Sequence, residues 1–184
     1  GLWGKPTVLN NAETWATVPK IIKNGADWYA SMGNENAQGC KVWAISGNIK
    51  YNGLMELDMK TTFREAIDDY CGGIQKKKAL KVIHVGGVTG GFLPPEKADT
   101  QTDYESLLDA GVLMGQASFA AYDDSACVID LALFSVGFNE GETCGKCTPC
   151  RIGLTLIKNQ LVDIAEGRGK MEDLDKLQAL CEEI

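Results

Sequence analysis

Residues 40–59 read CKVWAISGNIKYNGLMELDM. Val42, Ala44 and Ser46 alternate with Trp43 and Ile45 in the first half, the period-2 signature of a strand. In the second half Leu54, Glu56 and Asp58 alternate with Met55, Leu57 and Met59. Between them Tyr51-Asn52-Gly53 carries the Asn-Gly pair that favours a tight reversal. The stretch therefore predicts two antiparallel strands. Just beyond it, Thr62-Phe63-Arg64-Glu65 has the spacing of a capping box, which opens a helix running to Tyr70 or Cys71 and stopping at Gly72-Gly73. ALKVIHVGG (79–87) is rich in β-branched residues and reads as the next strand, and SFAAYD (118–123) as the last. Hairpin, helix, strand, strand is the element order of a β-grasp-like module within an α+β fold.

Downstream of this unit the period changes. SACVIDLALFSVGFNEG (125–141) is a nearly continuous apolar run, expected to be a helix buried on most sides. RIGLTLIKNQLVDIAEG (151–167) sets Leu154, Ile157, Leu161 and Ile164 on one face, and KMEDLDKLQALCEEI (170–184) does the same with Leu174, Leu177, Cys181 and Ile184. Three such helices should form a small bundle. Upstream, residues 1–34 mix Pro6 and the Asn10-Asn11 pair with a helical pattern from Glu13 to a Gly25 stop, and a short turn at Trp28-Tyr29. That segment is too short for a domain and reads as the tail of something preceding it. The expected division is 1–34, 35–123 and 124–184.

With 45% hydrophobic and 23% charged residues in 184, the chain can build a sizeable core. Its formal net charge of -7 argues against nucleic acid as the main partner. No apolar run approaches a membrane span and no secretory leader is visible. The chain begins at Gly1 and is read as an internal piece of a longer protein. Seven cysteines, an odd number and mostly scattered, fit a reducing cytoplasm better than a disulfide framework.

Three of those cysteines are not scattered. Cys144, Cys147 and Cys150 form C-x-x-C-x-x-C within GETCGKCTPCR (141–151). This spacing lets thiolates converge while intervening amides turn toward the sulfurs, as in ferredoxin-type loops that give three ligands to a four-iron four-sulfur cluster. Gly145 permits unusual backbone angles, and Lys146 and Arg151 offset negative charge. Structural zinc would want a second C-x-x-C pair or histidines, and His84 is the only histidine. A thioredoxin-like motif needs no third cysteine. For a fourth ligand the chain offers Cys181, which its position on the last apolar stripe reads instead as a small packed residue.

GETCGKCTPCRIG resembles the ESCGKCTPCREG signature of the NADH-binding flavoprotein subunits of respiratory complex I and of NAD-linked and electron-bifurcating iron hydrogenases. GLWGKPTVLNNAETWATVP (1–19) is similar to that family's G-x-W-x-x-P-T-x-x-N-N-V-E-T-x-x-x-V-P segment, and VGGVTGGFLP (85–94) followed by DYESL (103–107) is similar to its hydrogenase branch. The resemblance covers the whole chain. It implies the end of an FMN- and NADH-binding domain, a β-grasp domain of the soluble-ligand-binding type, and a helical domain holding one four-iron four-sulfur cluster. It gives Cys144, Cys147 and Cys150 the role of metal ligands, and gives Asn10, Asn11 and Thr14 places beside the flavin phosphate or ribityl chain. Asn11 can equally cap the helix that follows. The family's last ligand lies in a D-T-S-L-C-like motif after the final helix, which puts it beyond Ile184 and leaves Cys181 unused. Thr143 stands where the family has serine, Val88 and Thr89 replace a proline and a serine, and Ile152 replaces an acidic residue.

The implied protein oxidises NADH through FMN, passes electrons to the cluster and works with other electron-transfer subunits. The chain taken by itself is expected to be inactive. The competing reading is a non-catalytic, metal-stabilised β-grasp binding module. The loop Gly86–Gly91 lacks the lysine of a phosphate-binding loop and reads as a close approach between units. His84 reads as a packed histidine, Glu13 as an acidic group that hydride chemistry does not require, and Trp3, Trp15, Trp28 and Trp43 as core or domain-contact residues.

Overall fold

The computed structural model describes residues 1–184. Two helices, α1 (Ala12–Asn24) and α2 (Ala26–Ala30), precede the sheet. Asn11 caps α1, its side chain accepting from the Glu13 amide at 2.8 Å, and Gly25 ends it at φ 94°, where any Cβ would be strained. Strands β1 (Cys40–Gly47) and β2 (Gly53–Asp58) pair antiparallel with Trp43 opposite Met55 and Lys41 opposite Leu57. The capping box at Thr62 and Glu65 is present, and α3 (Phe63–Glu65) runs on through a π-turn at Ala66–Tyr70. β3 (Leu80–Val85) and β5 (Ser118–Asp123) complete the strands that the residue pattern predicts. Two further elements have no counterpart in that pattern: β4 (Gly91–Leu93), too short for a period, and α4 (Tyr104–Asp109), capped by Asp103.

The sheet order is β2-β1-β5-β3-β4, with β1 and β5 parallel and every other pair antiparallel. This is the β-grasp-like arrangement, with the last strand inserted beside the first. One face carries Trp43, Ile45, Ile83, Val85, Phe119 and Ala121, and it packs on Phe63 and Ile67 and on Leu107 of α4. Trp43 and Phe63 meet edge to face at 5.8 Å, and Phe63 and Phe119 at 5.2 Å. Of the four tryptophans only Trp43 is core; Trp3, Trp15 and Trp28 are exposed.

The remaining chain folds into α5 (Val128–Glu142), α6 (Thr148–Ala165) and α7 (Glu172–Glu182), with α5 on α6 and α6 on α7. No helix is long and apolar enough to cross a membrane. The expected burial of α5 on most sides is corrected: only Ser135 is buried, while Phe134 is 65% and Phe138 48% exposed. One neighbouring helix and one loop cannot wrap an all-round apolar cylinder. The stripe on α7 is corrected too. Its inward positions are Asp173, Leu177 and Leu180, and Leu174 and Cys181 are exposed. A helix with a single neighbour buries a narrower face than the sequence period suggests.

Candidate metal centre

The cysteine loop joins α5 to α6. Thr143 breaks α5 by turning to extended backbone, Gly145 takes φ 70°, and Cys147 is the N-cap residue of α6. Cys144 and Cys147 are exposed and Cys150 is half-buried in the first turn of α6. Unpaired amides at a helix start favour negative charge, so this end of α6 suits anionic sulfur. The Thr143 Oγ1 and Cys150 Sγ atoms lie 3.2 Å apart, and Arg151 folds back to donate to the Gly145 carbonyl at 2.6 Å. No three His, Cys, Asp or Glu side chains already stand in metal-holding geometry. The donors nevertheless fit an iron–sulfur group: three thiols on one turn, a hydroxyl directed at one of them, and a cationic side chain across the loop.

Polar contacts also tie α5 to α6. Lys158 donates to Glu140 at 2.7 Å and Thr155 to the same carboxylate at 3.2 Å. Lys158 thereby holds the Glu140 carboxyl below its usual value. Asn139 reaches across to the Gly86–Gly91 loop and donates to the Val88 carbonyl at 2.9 Å. That loop therefore is a contact between the sheet and the helices. Ile184 lies against Gly153, so a Cβ there would come within 2.4 Å of its Cδ1. The end of α7 thus returns to the α6 turn that follows Cys150. Cys181, expected to be packed, is exposed on α7.

The other candidates lie elsewhere. Asn11 and Thr14 line a 610 Å³ cleft between α1 and the sheet, with Glu13, Tyr29, Cys40 and Lys41. Asn10 is exposed and does not line it. Glu13 pairs with Lys41 and accepts from the Val42 amide at 2.7 Å, tying α1 to β1. Burial would raise its carboxyl, but Lys41 and the amide outweigh this and lower it. Cys40 donates to Glu56 at 2.8 Å, and burial followed by that carboxylate pushes its thiol up to about 12, so it is no nucleophile. His84 stacks on Phe92 at 4.3 Å, and burial lowers its imidazole despite a bond involving the Gly87 backbone. Residue spacing could not show the Thr143–Cys150 contact or the Asn139 bridge. A threonine just before a cysteine cluster was the one visible signal.

Residues 130–184 match the family described as the NADH-ubiquinone oxidoreductase-F iron-sulfur binding region. Over 99% of its length the chain is 43% identical to the HndC subunit of the NADP-reducing hydrogenase of Solidesulfovibrio fructosivorans, covering 37% of that protein. Over its whole length it is 38% identical to the F 2 subunit of the NADH-quinone oxidoreductase of Rhizobium meliloti (strain 1021), covering 44%. It superposes with a TM-score of 0.78 on a chain of an NAD+-reducing nickel–iron hydrogenase in the H2-reduced state, at 28% identity, covering 99% of this chain and 30% of that one. The chain thus spans less than half the length of these relatives.

Proposed function

From the premise that this chain belongs to the family of the NADH-quinone oxidoreductase F subunits and their hydrogenase relatives, we propose that it is the iron–sulfur and β-grasp part of a longer NADH-oxidising flavoprotein. When bound, FMN supplies hydride acceptance from NADH, and a four-iron four-sulfur cluster supplies single-electron transfer. Cys144, Cys147 and Cys150 would hold the cluster as thiolates. Lys146 and Arg151 offset the added negative charge. The observation that carries this reading is the C-x-x-C-x-x-C turn at the start of α6 inside the matched region.

We assign the fourth ligand to residues that follow α7. The contact of Ile184 with Gly153 supports this, because it brings the chain back beside the turn after Cys150. Residues 1–34 act as the edge of the flavin-binding domain, 35–123 as the β-grasp domain and 124–184 as the iron–sulfur domain. None of residues 1–38 is buried, and Leu2, Trp3, Val8, Leu9 and Ile22 are all more than half exposed, which suits a segment that packs on a further domain. Asn10, Asn11 and Thr14 would meet the flavin there. The β-grasp unit positions the cluster through Asn139 and Val88. Other electron-transfer subunits in the cytoplasm would receive the electrons; relatives that are themselves subunits, and seven free cysteines, both suit this. The 184-residue chain taken alone should neither oxidise NADH nor bind FMN tightly.

Anaerobic reconstitution with iron and sulfide tests the assignment. A chain extended past Ile184 should bind about four irons and show broad visible absorbance. The 184-residue chain should hold iron less well, and Cys181→Ser should change neither. Loss of the cluster on Cys181→Ser would make Cys181 the fourth ligand. Stoichiometric colourless zinc with no iron would favour the binding-module reading.

A further inference from the structure

We propose that Thr143 is a positioning residue for the iron–sulfur site, its hydroxyl donating to the Cys150 sulfur and setting both that ligand's orientation and the electron affinity of the cluster. The proposal rests on the iron–sulfur reading of residues 144–150. Thr143 Oγ1 and Cys150 Sγ stand 3.2 Å apart. A ligating cysteine carries no proton, so across this contact only the threonine can donate. The Gly145 amide approaches the same hydroxyl oxygen at 3.4 Å, which occupies an acceptor position and leaves the hydroxyl proton to the sulfur. Cys150 is the one cysteine of the three whose sulfur has such a partner.

The hydroxyl is also held in place. Thr143 is half-buried and follows α5 directly with φ -62° and ψ 138°. Four residues earlier, Asn139 ties α5 to the sheet through Val88, and Glu140 ties it to α6 through Lys158. Thr89, Asn139, Thr143 and Cys150 line one 390 Å³ cavity. Thr143 is therefore placed by both units of the molecule. A hydrogen bond to a ligand sulfur stabilises the more negative, reduced state, and outer-shell donors also strengthen metal binding.

The test uses the full-length protein that contains this segment, purified anaerobically with its cluster. Thr143→Val keeps the shape and removes the hydroxyl; Thr143→Ser keeps the hydroxyl. Midpoint potentials come from redox titration followed by electron paramagnetic resonance, and retention from the rate of iron loss to a chelator. Thr143→Val should have a more negative potential and lose iron roughly 10-fold faster, and Thr143→Ser should match wild type in both. A valine variant that emerges without cluster, beside an intact serine variant, also supports the proposal. Wild-type values for valine, or a serine variant shifted as far as valine, would overturn it. Cys144→Ala is the separate control: undisturbed cluster in that variant would overturn the iron–sulfur reading itself, whatever Thr143 does.

Discussion

Between Trp43 and Ala121, nineteen buried residues form one apolar cluster. Between Val128 and Glu182 only Ser135, Gly153, Ile157 and Leu161 are buried. The first region is held by area removed from water, at about 25 cal/mol per Å² of apolar surface. The second is held by a thin helical seam, a Glu140–Lys158–Thr155 cluster and the Asn139 bridge. Sequence hydrophobicity runs the other way, since α5 is among the most apolar stretches of the chain. What separates the regions is how many neighbours each element has. A sheet covered by two helices and several loops surrounds its side chains, whereas three helices in a row leave flanks open. The helical region is therefore the less deeply buried of the two.

The largest expected effect concerns metal-free protein. Amides in β1, β3 and β5 should exchange roughly 100-fold more slowly than those in α6 and α7, because opening the helical seam uncovers far less apolar surface. Equal protection by hydrogen-exchange mass spectrometry would remove the contrast. Next in size is Trp43→Ala. Trp43 is fully buried between Phe63 and Phe119, and its truncation should cost about 3–5 kcal/mol in chemical denaturation of the sheet. A loss below about 1 kcal/mol would show that the aromatic cluster is not the centre of stability.

Ile157→Ala sharpens the comparison from the other side. Ile157 is 6% exposed, and its truncation should cost about 2 kcal/mol in the helices. Sheet opening, followed by hydrogen exchange in β1, β3 and β5, should not move. A shift of the sheet transition would mean that the two regions unfold as one. The smallest effect is on pH dependence. Asp103, 1% exposed, accepts from the Glu105 and Ser106 amides, the Ser106 hydroxyl and Asn34. Burial alone would raise its carboxyl, but these donors lower it. Its contribution is therefore complete above the unfolded value of about 3.9 and is lost as pH falls through the lower folded one. Asp103→Asn should flatten the sheet's stability profile below about pH 4 without reshaping it above. An unchanged acid limb in denaturation midpoints would exclude this role.

The alternation in β1 and β2, the capping box at Thr62 and the Gly25 stop were all legible in the chain, because each depends on residues within one turn or one strand of each other. The cysteine spacing was legible for the same reason. The strand order, with β5 entering parallel beside β1, needs partners some 70 residues apart, and no local pattern encodes it. Short elements such as β4 carried too few residues to show a period. In the sequence Glu13 is an acid without a task, and tertiary structure makes it the tie between α1 and β1. Cys181 and Leu174 stay exposed despite their spacing, because hydrophobic spacing tells which residues could be buried, whereas burial needs a neighbour on that side. The approach of the Thr143 hydroxyl to Cys150 likewise depended on where α5 ends against α6, a matter of packing and helix termination that the order of residues alone leaves open.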